Sequence, residues 1–156
     1  MAIRQDEMLE FTSVGDIKAG YFYAFGYNAL AKRGTDMAPV IYCAYAPPDS
    51  LNFTGINFHY FSIETCGRIL SMMNKKQFIL DDDIQHIFNG SDLHECFSNI
   101  GIGMKMYNKT RITGSCFRIK NKYIGDFLHI PSEFFMTNDL EKQIQQALEI
   151  NKNKGF

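Results

Sequence analysis

The sequence predicts an α+β domain in which a small antiparallel β-structure, either an SH3-like β-barrel or an open meander, comes first and short helices follow. Three observations carry this expectation. "AGYFYAFGY" (residues 19–27) puts Tyr21, Tyr23, Phe25 and Tyr27 on one strand face, because side chains alternate with period two. Two more runs rich in β-branched and aromatic residues, "PVIYCAYA" (39–46) and "FTGINFHYF" (53–61), follow across turn residues. After Ser62 the pattern turns helical, with Ile63, Cys66, Leu70 and Met73 three or four residues apart.

"KRGTD" (32–36) supplies the first turn, and Pro39 opens the second strand, a position strands tolerate. "PPDS" breaks that strand before the third. The first two strands are apolar on both faces. Either the sheet curls closed, or one face is covered by helices or a partner subunit. The third strand is less uniform. Thr54, Ile56, Phe58 and Tyr60 share a core-like face, whereas Phe53, Gly55, Asn57, His59 and Phe61 share a face that is polar in its middle. Gly55 there permits a close approach.

Ser62 is a plausible N-cap for the first helix. "DDDIQHIFNG" (81–90) reads as a short helix opened by aspartates and closed by Asn-Gly, and "SDLHECF" as a further helical turn. Residues 104–123 return to strand alternation around a loop, and "GDFLHIPSEFF" reads as extended up to Pro131. A C-terminal amphipathic helix starts at Asn138 with Glu141 at capping-box spacing and places Leu140, Ile144, Ala147 and Leu148 on one side. The 156 residues suit a single domain, with residues 1–16 as an N-terminal arm and 151–156 as a frayed tail.

Apolar residues make up 46%, charged residues 21% and aromatic residues 14% of the chain, with no Trp, which suits aromatic side chains on pleated surfaces. A net charge of −1 gives no global sign of a nucleic-acid partner. Cys43, Cys66, Cys96 and Cys116 are scattered without a C-x-x-C pair and read as reduced thiols in a cytoplasmic setting. Neither a signal-peptide run nor a membrane-length apolar stretch occurs, so a soluble, unprocessed protein is expected.

No catalytic, cofactor-binding or metal-binding motif is complete. G-x-S-x-G, a P-loop and H-E-x-x-H are all missing, and His94-x-Cys96 lacks a second half with ligand spacing. Asp81, Asp82 and Asp83 suit the start of a helix better than an ion site. Asn57 and His59 read as a structural polar pair that pins the third strand to a neighbouring loop. A small enzyme using His59 is the weaker alternative.

Local charge is uneven. Lys105, Lys109, Arg111, Arg118, Lys120 and Lys122 occur with no acid among them, while residues 81–95 carry five acids and no Lys or Arg. Interleaved with Tyr107, Phe117 and Tyr123, the basic residues suit three roles. One is a lysine-protected strand edge. Another is docking on the acidic face of a neighbouring subunit, this chain's own acidic segment included. The third is tracking a phosphate backbone.

Phe25-Gly-Tyr27, then Pro39-Val40-Ile41, then Gly55-Ile56-Asn57-Phe58-His59-Tyr60, then Arg68 form an ordered set. With "MYNKTRITGSCFRI" and "DFLHIPSEFF" further on, this order resembles a family of small virion proteins of T-even-type contractile-tailed phages, some of them DNA end protectors. The likeness spans residues 17 to 136, and the chain departs from it in lacking tryptophan and a leucine-proline after His59-Tyr60. The resemblance implies a non-enzymatic virion component of the neck, tail or baseplate, assembled in the host cytoplasm. It implies several copies in a ring or complex, contacting other virion proteins. A DNA-binding role at the ends of packaged DNA is the alternative it carries.

Overall fold

The computed structural model describes residues 5–28, 38–75, 83–96 and 103–127. A single helical turn α1 (Gln5–Met8) leads into β1 (Leu9–Thr12), followed by β2 (Phe22–Tyr27), β3 (Val40–Tyr45) and β4 (Asn52–Asn57). Helices α2 (Ile63–Lys75) and α3 (Gly90–Cys96) precede β5 (Met104–Asn108), β6 (Ile112–Ile119) and a last helical turn α4 (Ile124–Phe127). The six strands form one antiparallel sheet in the order β1-β6-β2-β3-β4-β5. The architecture is α+β, and the sheet is open, with β1 and β5 at its edges.

Period-two alternation sorts the strand residues into two cores, one on each face. Phe22, Ala24, Val40, Tyr42, Ile56 and Ile119 meet Cys66, Ile69 and Met73 of α2 on the first face. Tyr23, Phe25, Tyr27, Ile41, Cys43, Phe53, Tyr107 and Cys116 form the second core. Strands β3 and β4 lie between β2 and β5, so a flat sheet would hold those two about 14 Å apart. Yet the ring centroids of Phe25 and Tyr27 lie 5.4 and 5.1 Å from that of Tyr107. The sheet therefore curls until its own aromatics fill the concave side. Helices cover one face and curl fills the other, which explains why β2 and β3 are apolar on both.

Ser62 caps α2 as expected: its Oγ accepts from the backbone N of Thr65 at 3.1 Å. Other expectations fail for identifiable reasons. The third strand ends at Asn57 rather than running to Phe61, because the Asn57 side chain accepts from the backbone N of His59 and turns Phe58–Tyr60 into a 3-10 helix. Residues 83–89 are not helical. Their polar groups bond to the turn before β2 instead, through His86 N to Gly20 O (3.0 Å) and Gln85 Nε2 to Ala19 O (2.7 Å). Asn89 closes no helix; its Oδ1 accepts from Asp92 N at 2.8 Å and caps α3. Within the stretch expected to be an N-terminal arm, Leu9–Thr12 form a strand of the sheet, with Met8 and Leu9 buried and Leu9 opposite Ile119. Gly125–Phe127, expected to be extended, lie in α4. The turn at 32–36, Asp81 and Asp82, the Ile-Pro segment, the C-terminal helix and the tail at 151–156 fall outside the described residues.

Candidate functional site

Asn57 is buried at the end of β4. Its Oδ1 accepts from the backbone N of His59 at 2.9 Å, and its Nδ2 donates to the Tyr107 hydroxyl at 3.4 Å. The two residues expected to pair are joined through the Asn57 side chain and the His59 backbone, and Asn57 also ties the turn to β5. Gly55 does permit a close approach: a Cβ there would stand 2.5 Å from Ile41 Cδ1, so the glycine makes room for the second core.

The six basic residues do not form one strip. Lys105 is exposed on edge strand β5, its ammonium 4.6 Å from the centre of the Tyr60 ring. Lys109 and Arg111 sit on the 3-10 turn between β5 and β6. Arg118 lies at the far end of β6, roughly 23 Å along the strand from Arg111 at 3.3 Å per residue. Lys120 and Lys122 follow it, Lys122 standing 5.0 Å over the Tyr123 ring.

Arg118 is occupied within the chain. Its Nη1 and Nη2 bond Asp83 Oδ1 and Oδ2 at 2.7 and 2.6 Å, and Nη2 also reaches Glu10 Oε2 at 2.6 Å. The guanidinium lies 4.9 Å over the Tyr21 ring, leaving the side chain 13% exposed. The bidentate hydrogen bond from Arg118 holds the Asp83 carboxyl below the usual carboxylate range, and the same bond raises the arginine. Beside it opens a groove of about 560 Å³ lined by Glu10, Phe11, Asp16, Lys18, Tyr21 and Arg118 among others. Two carboxylates, Glu10 and Asp16, face two cations, Lys18 and Arg118, there.

Among the described residues, no three His, Cys, Asp or Glu side chains come together as a metal site. His94 is exposed while Cys96 is buried, so the two point into different surroundings. All four cysteines are free and buried; burial pushes the thiols of Cys43 and Cys116 up to about 12 and that of Cys66 to about 11. No described helix is long and apolar enough to cross a membrane.

The two sheet edges carry what sequence reading missed. On β1, Phe11 is 69% exposed; on β5, Met106 is 72% exposed and Met104 is exposed beside it. No protein-family model, curated protein or solved structure matches this chain. The geometry therefore stands by itself. For β5, "MKM" at 104–106 alternates as a half-buried strand would, yet all three residues are exposed because the strand lies at the sheet edge. The signal for β1 is absent, since four residues beside a helical turn carry no readable period.

Proposed function

We propose that this chain is a non-enzymatic structural and assembly protein of a contractile-tailed phage virion, at the neck, tail or baseplate, acting through contacts with other virion proteins in several copies. One observation carries the reading: the sheet ends in two edge strands that hold large apolar side chains out in solvent. Such edges invite pairing with another chain, and proteins that work alone blunt them. The occupation of Arg118 by Asp83 and Glu10 supports it too, because one of the basic residues is already neutralised within the chain. The curled sheet, with its 3-10 turn between the last two strands, is read as an SH3-like barrel left open, followed by the C-terminal amphipathic helix.

A second reading is contact with the ends of packaged DNA. The observation favouring it is Lys105 set over exposed Tyr60 at one end of β5, with Lys109 and Arg111 on the turn at the strand's other end, cations and an aromatic of the kinds that meet phosphate and bases. Fractionation of purified particles, followed by mass spectrometry, tests the main reading. The protein should appear in the neck, tail or baseplate fraction and stay there after nuclease treatment. Absence from particles, or release together with digested DNA, would overturn it.

A further inference from the structure

We infer that a second copy of this chain docks edge to edge, β1 of one copy adding to β5 of the next, in a head-to-tail array. The inference rests on the assembly reading above and names the partner.

Neighbouring strands are all antiparallel, so β1 and β5, at opposite ends of the order, run in opposite directions. A second copy placed beside the first in the same orientation therefore meets it as an antiparallel pair. The hydrogen-bonding phase can be read as well. Lys109 N donates to Leu51 O at 2.8 Å, so Tyr107 and Lys105 turn their backbone groups toward β4. Met106 and Met104 turn theirs outward. On the other edge Lys120 N donates to Met8 O at 2.9 Å, so Glu10 and Thr12 face β6 while Phe11 faces out.

The side chains are complementary in that arrangement. Met104 and Met106 stand opposite Ile56 and Thr54, on the face of the first core, and Phe11 stands opposite Phe117 on the same face. In a continuous sheet Phe11 of one copy lies beside the two methionines of the next, an aromatic against adaptable thioethers. Lys105 stands opposite Gly55, and Glu10 opposite Arg118, both on the face of the second core. Pairing Phe11 with Met104 therefore sets Glu10 against Lys105. Charge meets charge on one face and apolar meets apolar on the other. The two edges differ, so the contact is heterologous; repeated, it closes into a ring when the rotation between neighbours divides a full turn.

Proline substitution at an outward N–H removes an edge donor without touching a bond inside the chain, so Phe11→Pro blocks one edge and Met106→Pro the other. The full-length chain should sediment as an oligomer larger than a dimer. Each variant alone should sediment as a monomer with unchanged far-ultraviolet circular dichroism. An equimolar mixture of the two should form a dimer, since each supplies the edge the other lacks. Where a proline disturbs the fold, Lys105→Glu serves instead: it faces Glu10 across the contact and should weaken association about tenfold. A wild-type chain that stays monomeric at its solubility limit, or variants that still assemble alone, would overturn the inference. A monomer found in particles leaves the assembly reading standing. Self-association by a chain absent from particles sinks that reading and spares the edge contact.

Discussion

Asn57 answers for the polar middle of an otherwise apolar strand. Its carboxamide accepts from the His59 backbone and donates to Tyr107, so it stops β4, starts the turn and reaches β5. Removing it takes one bond from the Tyr107 hydroxyl and one from the His59 backbone N–H. Asn57→Ala should cost about 1–3 kcal/mol, read as a lower urea midpoint with unchanged slope. The Asn57 bond to the backbone at 59 should survive His59→Ala, because its donor is not the imidazole. An Asn57→Ala protein as stable as the parent would contradict this role. The sequence showed that Asn57 mattered but not how. Period-two alternation assigned its side chain to the same face as His59, and an asparagine able to cap a turn two residues on breaks that alternation.

The extended segment 83–89 is the element least legible in the sequence. Three aspartates and an Asn-Gly imitate the two ends of a helix. The real bonds go to residues far along the chain, where Gly20 O, Ala19 O and the Tyr42 hydroxyl receive or supply the partners. No local pattern encodes such contacts. Strands β2 and β3 are legible as unbroken apolar and aromatic runs buried on both faces, and helix α2 by the helical spacing of its buried residues. Asp83 latches the segment to β6 through Arg118, and its depressed carboxyl sets the pH behaviour. Its contribution is fully present above the ordinary aspartate value of about 3.9 and is lost as the pH falls through the lower, folded value. Asp83→Asn should cost about 1–2 kcal/mol at neutral pH, its partial exposure keeping the loss modest. Urea unfolding of the two proteins should differ at pH 7 and converge in acid. A gap that persists unchanged to pH 2 would contradict the latch.

For the molecule as a whole, charge and apolar surface are segregated onto different parts of one open sheet. Basic residues contiguous in sequence separate in space, with Lys105, Lys109 and Arg111 near β5 and Arg118 locked at the far end of β6. The sequence displayed the charge run, but its division depends on strand length and on Asp83, which no local reading supplies. A chain that assembles through its edges needs little affinity for nucleic acid. Among the described residues, the basic side chains of 105–122 are spread over both ends of β5 and the far end of β6, so only a few counterions should be released. The most direct test is a titration of the purified protein with linear and with closed circular duplex DNA at two salt concentrations. Weak binding of the non-specific order, about 10⁻⁴ to 10⁻⁶ M, with a shallow salt dependence and no preference for free ends, is the expected result. Tight binding that weakens steeply with salt and favours free ends would contradict assembly as the function and give the DNA ends to this protein.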